Sequence, residues 1–116
     1  MKRLTYLVIV GVVLLSLGSG DASAQATASA ALQGTVTDQS GAVVAGVKVT
    51  ITSKDQGWSR TSTTSDAGLY RFELLAAGSY SLRIAHAGFA TVSVDRAELQ
   101  VGKTTTFDFV LKPGHL

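Results

Sequence analysis

Cysteine is absent from this 116-residue chain, and proline, tryptophan and histidine are nearly absent. Without cysteine the chain can form no disulfide, offer no thiolate nucleophile and carry no lipid on a cysteine after a leader. A folded domain must therefore be held by burial of apolar side chains, each contributing about 1.5–3 kcal/mol when fully buried. The length allows one domain of ordinary size.

The two histidines, His86 and His115, stand in no local motif that indicates catalysis. A Ser-His-Asp site or a zinc site would need further partners at matching spacing, and none is evident. Asp38 and Asp66 lack the neighbouring oxygens of a calcium loop and are better suited to capping turns with their side chains. We expect no enzyme, no cofactor and no metal.

Charge of one sign is also not concentrated anywhere beyond residue 24. The basic residues there are Lys48, Lys54, Arg60, Arg71, Arg83, Arg96, Lys103 and Lys112, and the acidic residues are Asp38, Asp55, Asp66, Glu73, Asp95, Glu98 and Asp108. A nucleic-acid surface needs lysine and arginine clustered on one face or groove. The scattered and nearly balanced charges predict no nucleic-acid partner.

The first 24 residues have the order of a secretory signal peptide. Lys2 and Arg3 precede an apolar run over 6–15, and small residues follow at 22–24. We expect cleavage after Ala24, with Ala26 as the alternative. The apolar run ends near Leu17, short of the roughly 20 residues that a membrane span needs. The chain is thus expected to meet a membrane only during export, and residues 25–31 to form a flexible lead-in.

Residues 32–112 consist of short runs of alternating apolar and polar residues separated by turn residues, which is typical of an all-β sandwich or barrel. No window beyond the leader has the apolar spacing of a helix. The predicted strands are 32–37, 46–52, 58–64, 69–74, 79–86, 89–95 and 104–111, followed by a tail at 113–116.

The triplet Gly-x-Tyr occurs twice, at 68–70 and at 78–80, each time before an alternating run. A glycine relieves the turn before its strand, and a tyrosine closes one end of the core, with its ring buried and its hydroxyl on polar backbone or water. The residues expected to serve in turns or as core caps are Gly34, Gly41, Gly46, Asp66, Gly68, Tyr70, Gly78, Tyr80 and Gly88.

Trp58 and Arg60 are the candidate ligand contacts. They fall on a run with many hydroxyls and almost no apolar face, which is typical of an edge strand. An indole face and a guanidinium at an exposed edge could contact a glycan or a partner chain. The alternative is that Trp58 packs across the hairpin or seals one end of the core.

A resemblance to a known family rests on spaced turn glycines, aspartates and aromatic residues. They are Gly34 to Asp38, Gly41, Gly46 to Val49, Thr63 to Phe72, Leu75 to Leu82 and Gly88-Phe89. This series resembles the carboxypeptidase regulatory-like domain over nearly all of the chain beyond the leader. Family members often carry proline where this chain has Ala45 and Ala77, and the loss of each is expected to loosen its turn by about 0.4–1 kcal/mol.

The resemblance implies a seven-stranded Greek-key sandwich similar to prealbumin. In that arrangement the strand at 69–74 joins those near Thr35 and Phe107, and the strand from Ser79 joins those near Val49, Thr61 and Val92. The link over 75–78 then crosses between sheets. The residues alone leave a simple hairpin between these two strands equally open.

The resemblance also implies a non-catalytic exported module for protein or glycan contact in the cell envelope, like those at the N-terminus of TonB-dependent outer-membrane receptors. The sequence leaves open a free-standing periplasmic or secreted form and a piece of a larger receptor. The alternatives are a carbohydrate-binding domain, a spacer and, with least support, a transthyretin-like hydrolase. Such hydrolases depend on a C-terminal motif for which residues 112–116 offer no counterpart.

Overall fold

Eight β-strands in two facing sheets form the fold of this chain. The structure is a computed structural model that describes residues 29–114. The strands are β1 (Ala30–Asp38), β2 (Lys48–Ser53), β3 (Ser59–Thr63), β4 (Leu69–Leu75), β5 (Gly78–Ala85), β6 (Val92–Leu99), β7 (Thr104–Thr106) and β8 (Phe109–Leu111). No helix occurs within residues 29–114. The all-β sandwich predicted from the sequence is confirmed. The predicted leader and His115 lie outside the described residues.

The first sheet is built around β1. It has the order β4-β1-β7, and β8 also pairs with β1 farther along that strand. β4 runs antiparallel to β1, whereas β7 and β8 run parallel to it. The second sheet has the order β3-β2-β5-β6 with antiparallel pairs throughout. β3 and β6 are therefore the free edges of the second sheet.

The chain crosses from one sheet to the other between β4 and β5. Phe72 of β4 pairs with Leu32, while Leu82 of β5 pairs with Ile51 and Val94. The crossed arrangement implied by the resemblance is confirmed, and the hairpin alternative is wrong.

The core lies between the sheets, where the inward residues of alternating strands meet. In β2 the alternation predicted from the sequence is complete, since Val49 and Ile51 are buried together with Val47 just before the strand. The other large, fully buried side chains include Leu32, Val36, Leu75, Tyr80, Leu82, Ile84 and Leu111. Burial of such side chains is the dominant favourable term in a fold without disulfides.

Most strand ends differ from the sequence prediction by one or two residues, and the differences at the start of β1 and in β6 have local reasons. β1 begins at Ala30, so residues 30 and 31 are not part of a flexible lead-in. Ala30 is buried and pairs with Leu75, and alanine gives no strand signal in the sequence. The sixth strand runs from Val92 to Leu99 instead of over 89–95, because a register shift opposite Ser81 reverses which residues face the core. Phe89 instead forms an isolated bridge with Pro113.

The last predicted strand is divided into β7 and β8 at Phe107 and Asp108. The Phe107 carbonyl accepts a 2.6 Å hydrogen bond from the Tyr70 hydroxyl. Between β7 and β8, the Thr35 amide of β1 donates a 2.9 Å hydrogen bond to the side-chain oxygen Oδ1 of Asp108 instead of to a backbone carbonyl. Phe109 and Leu111 remain buried on the same face. The chain therefore leaves the regular ladder of β1 for two residues without losing its core contacts.

Gly34 leaves the space into which the Phe107 carbonyl points. It lies inside β1 rather than in a turn, and a Cβ at this position would stand 1.7 Å from the Phe107 oxygen and 2.8 Å from a Tyr70 ring carbon. No side chain fits that space unless the β7–β8 segment moves. The predicted turn role of Gly34 is therefore wrong, and its role is close backbone approach.

We expect Gly34→Ala to lower the free energy of unfolding by about 3 kcal/mol or more, because the obstructing atoms are backbone. The matched control is Gly57→Ala. Gly57 has φ 79° and open space around it. Gly57→Ala should therefore lose only the about 1–2 kcal/mol that a side chain costs at positive φ, with no steric clash. Urea denaturation followed by tryptophan fluorescence measures both. Equal losses in the two variants would contradict the close-approach role.

Ala45 and Ala77 lie in exposed bends. Neither N–H donates a hydrogen bond within residues 29–114, and neither residue has a positive φ. We expect Ala45→Pro and Ala77→Pro each to raise the free energy of unfolding by about 0.4–1 kcal/mol by restricting the unfolded chain. Ala42→Pro is the control, because the Ala42 N–H donates to Asp38 Oδ1. It should destabilise, and a gain there equal to the other two would argue against this explanation.

Candidate functional site

The predicted turn residues lie at the ends of strands, with the exception of Gly34. The glycines with positive φ among them are Gly41, Gly46, Gly68, Gly78 and Gly88. Gly68 is the most constrained, since with φ 74° a Cβ would also stand 2.7 Å from the Val36 carbonyl oxygen. Asp38 accepts hydrogen bonds from the Ser40 and Ala42 amides. In the turn before β4 the capping side chain is Ser65. The Asp66 carboxylate forms no hydrogen bond within residues 29–114, so its predicted capping role is wrong.

Both tyrosines of the repeated triplet bury their rings and give their hydroxyls to backbone carbonyls. Tyr70 donates to Phe107, and Tyr80 donates to Ala76, each at 2.6 Å. Burial, followed by the charge of Asp108, raises the pKa of Tyr70 above its ordinary range. Burial is also the main reason that the pKa of Tyr80 is raised. The two tyrosines therefore stabilise the sandwich from inside, and both hydroxyls are already hydrogen-bonded to backbone carbonyls.

Trp58 packs against the core at the β2–β3 turn. Its ring meets Tyr80 edge to face, with centroids 5.7 Å apart, and its indole N–H donates to Gln56 Oε1. The side chain is half-buried. This geometry agrees with sealing one end of the core, because the indole ring packs on Tyr80 and its N–H is already bonded.

Arg60 closes the side of the sandwich between β3 and β4. It lies opposite Ile51 in the β2–β3 pair, so its side chain points toward the inner side of the sheet. Its Nη1 donates to the Glu73 carbonyl at 2.9 Å, and its Cζ stands 5.9 Å from the centre of the Phe72 ring. Trp58 and Arg60, predicted as ligand contacts, are thus placed in packing positions.

A surface groove of about 560 Å³ lies along the first sheet and reaches β3 of the second sheet, and we call it the seam groove. It is lined by residues 33–35 of β1, Ser62 of β3, Ser65, residues 69–71 of β4, Thr106 and Asp108. The lining combines hydroxyl, amide and charged groups with the half-exposed Leu69. Such a surface suits contact with a polar, extended ligand.

Arg71 lines the seam groove, and two hydrogen bonds already orient its side chain. Its Nε donates to Glu73 Oε1 at 2.6 Å and its Nη1 donates to Gln33 Oε1 at 2.7 Å. The ion pair is exposed, so its contribution to stability is at most about 1 kcal/mol. Arg71 also lines a second recess of about 350 Å³ beside Leu74, which carries a positive φ of 56° and is 82% exposed.

Catalytic geometry is not evident among residues 29–114. His86 packs edge to face on Phe89 and has its Nδ1 3.0 Å from the Ala87 carbonyl oxygen, away from any carboxylate partner. Within the same range no group of three or more histidine, aspartate or glutamate side chains is placed to hold a metal ion. The same residues contain no helix capable of crossing a membrane.

Family membership follows from sequence as well as fold. The sequence profile of the carboxypeptidase regulatory-like domain matches residues 31–112, so the chain belongs to this family of β-sandwich modules. No curated protein sequence matches it significantly.

Solved structures resemble the fold at low sequence identity. A candidate carbohydrate-binding protein from Bacteroides uniformis is 20% identical, with TM-score 0.59, covering 72% of this chain and 41% of that protein. A minor pilin from Streptococcus agalactiae is 16% identical, with TM-score 0.60 and coverage of 77% and 46%. Chlorocatechol 1,2-dioxygenase from Pseudomonas putida is 13% identical, with TM-score 0.53 and coverage of 70% and 58%. This chain therefore spans less than two thirds of each, and the likeness shows the fold alone.

The hydrogen bond from the Tyr70 hydroxyl to the Phe107 carbonyl can be tested by mutation. Its raised pKa means that the folded state holds the proton more tightly than the unfolded chain, whose tyrosines titrate near pH 10. The stabilisation is complete below that pH and is lost as pH rises above it. We expect Tyr70→Phe to be less stable at neutral pH by about 1–3 kcal/mol, because the Phe107 carbonyl loses its donor.

Above about pH 10 the stability of Tyr70→Phe should fall less steeply than that of the unchanged protein, because the variant lacks this titrating group. Urea denaturation at a series of pH values from 7 to about 11 measures the two curves. Parallel curves would show that the Tyr70 hydroxyl titrates as freely in the fold as in the unfolded chain.

Proposed function

We propose that this chain is an exported, non-catalytic module that holds another protein of the cell envelope on its surface, in the context of a TonB-dependent receptor. The observation that carries the proposal is the chemistry of the seam groove. Its side chains can donate and accept hydrogen bonds, and an apolar residue borders them. The groove has no nucleophile beside a free base, which acyl or glycosyl transfer would need.

The distribution of exposed apolar side chains supports a protein partner. The large exposed hydrophobic residues of the described chain are Val43, Leu69, Leu74, Val101 and Val110. Leu69 and Val110 lie on strands of the first sheet, and Val43 forms a bridge with Thr37 of β1. The outward positions of β2 and β5 in the second sheet instead carry Lys48, Thr50, Thr52, Ser81 and Arg83. Protein contacts favour such mixed apolar and polar surfaces.

Export and the receptor context are supported by the predicted leader and by the family. The presence of a minor pilin among the structural neighbours is consistent with an envelope location for this fold. The carbohydrate-binding alternative is supported by the Bacteroides neighbour. It is weakened by the aromatic residues, since Trp58 packs on Tyr80 and the rings of Tyr70, Phe72 and Phe109 are buried.

A photo-crosslinking residue in place of Leu69 tests the proposal in envelope preparations. We expect a crosslink to one envelope protein from position 69. The matched control is the same residue at Ser93, which is exposed on the outer face of β6, at the opposite edge of the second sheet from β3 and the groove. Equal crosslinking from both positions, or none from position 69, would overturn the proposal.

A glycan array distinguishes the alternative. We expect no binding by the unchanged protein. Binding that is lost in Trp58→Ala and kept in Trp58→Phe would instead establish a carbohydrate-binding domain. Denaturation of each variant is measured in parallel, because removing the Trp58–Tyr80 contact should itself cost about 1–3 kcal/mol.

A further inference from the structure

Three of the four free sheet edges carry features that prevent another strand from pairing with them. β4 has a bulge at Leu74, where Glu73 and Leu74 together face Ala31, and its Glu73 carbonyl is occupied by Arg60. β6 has a register shift and charged residues, and the β7–β8 edge is broken at residues 107 and 108. Bulges, charges and interruptions are the means by which proteins block unwanted strand pairing.

β3 is the exception. Its pairing with β2 is continuous from Thr63↔Lys48 to Ser59↔Thr52, with no shift of register. The strand contains no proline, and four of its five residues are exposed, the exception being the half-buried Ser62. It is therefore a straight edge that an incoming strand can meet over its whole length.

The alternation of an antiparallel ladder fixes which main-chain groups of β3 are free. Ser53 donates to the Trp58 carbonyl, and Thr64 donates to the Val47 carbonyl. The residues that bond to β2 are therefore the even-numbered ones from Trp58 to Thr64. Ser59, Thr61 and Thr63 point their N–H and C=O groups away from β2. Five residues thus present three donors and three acceptors in the plane of the sheet.

The seam groove begins beside this edge, because Ser62 of β3 forms part of its lining. A strand added to β3 directs alternate side chains to the two sides of the sheet. One set would lie beside Ser59, Thr61 and Thr63 on the outer face. The other would lie on the side of Arg60 and Ser62, where the groove provides space. Main-chain pairing combined with a recess for alternate side chains is a known mode of peptide recognition.

The charge of this part of the sheet selects the partner. β2, β3 and β5 contain Lys48, Arg60 and Arg83 and no acidic residue. Lys48 faces Thr63 across the β2–β3 pair, and neither Lys48 nor Arg83 forms an ion pair within residues 29–114. The nearest acids in sequence, Asp55 and Asp66, belong to the turns before and after β3. A second copy of this chain would bring two basic edges together.

We propose that β3 accepts an extended, acidic segment of another polypeptide as an additional strand. The inference rests on the proposed function, since it specifies how the envelope partner is held. The acidic side chains of that segment lie about 10 Å, or two strand spacings, from the β2 backbone at Lys48. The long side chain of Lys48 can shorten this distance to the range over which charges interact at physiological salt. The side chains on its other side enter the seam groove.

The test uses a seven-residue synthetic peptide of alternating valine and glutamate, and a second peptide with lysine in place of glutamate. Amide hydrogen exchange of the full chain is followed by NMR. We expect the glutamate peptide to slow exchange at Ser59, Thr61 and Thr63, and to leave Arg60 and Ser62 unchanged because they already bond to β2. The lysine peptide should bind at least about tenfold more weakly, and binding of the glutamate peptide should weaken as salt is raised.

Thr61→Pro removes one outward N–H without breaking the β2–β3 ladder, and edge strands tolerate proline at such positions. We expect it to weaken binding of the glutamate peptide at least about tenfold. Thr61→Val is the matched control, since it keeps the N–H and should bind as the unchanged protein does. Unchanged binding by Thr61→Pro, equal binding of the two peptides, or no binding would overturn the inference. So would concentration-dependent protection of β3 without peptide, because it would mean that a second copy covers the edge.

The crosslink from position 69 separates this inference from the proposed function. If the envelope protein still crosslinks there in Thr61→Pro, the partner does not depend on the β3 edge, so the inference fails while the proposed function stands. Loss of both the crosslink and peptide binding in Thr61→Pro, with both retained in Thr61→Val, supports the two together.

Discussion

The hydrogen bond from Tyr70 to the Phe107 carbonyl is the constraint on which the first sheet depends. It requires the Phe107 carbonyl to point toward β1 at Gly34. Only a glycine leaves room for the oxygen at that position. The turn in the chain leaves a gap in the ladder, and the carboxylate of Asp108 takes the Thr35 amide there. One side-chain contact thus explains a glycine inside a strand, an interrupted edge and the position of an aspartate. It also shapes the seam groove, whose lining includes Gly34, Tyr70 and Asp108.

The tyrosine of the second Gly-x-Tyr triplet also donates its hydroxyl to a backbone carbonyl, here in the second sheet. Tyr80 donates to the Ala76 carbonyl in the crossing link, and Trp58 rests against its ring. Each tyrosine therefore ties a segment that leaves its sheet back to the core. Since the chain has no disulfide, these bonds and the buried apolar faces together hold the two layers at a fixed distance.

Much of the fold could be predicted because local pattern and burial agree. From Val47 to Ile51 every second residue is apolar and buried, so the sequence determines both β2 and its inward face. The pattern fails where pairing is irregular. In β6 the residues that face the core change phase at Asp95 and Arg96, and such a shift depends on the partner strand β5. The role of Thr64 is not predictable from the sequence either, because a threonine in a polar run is expected to be exposed. Its buried hydroxyl accepts from the Val47 amide and donates to the Val44 carbonyl.

The candidate site could be predicted less well. Trp58 and Arg60 were selected by residue type, yet the structure uses both in packing, and only neighbours distant in sequence reveal this. Alternation along β1 and β4 places Gln33, Thr35 and Arg71 outward. It cannot show that they meet Ser62 and Asp108 around one groove, because that requires knowledge of the crossing between sheets.

The parallel pairing of β1 with β8 has a mechanical consequence. Because the two strands run in the same direction, Ala30 and Leu111 lie toward opposite ends of the pair. A pulling force applied between these two residues slides one strand along the other. The hydrogen bonds between them then bear the load together instead of opening one at a time, so this sandwich should resist extension far better than a hairpin unzipped from its open end.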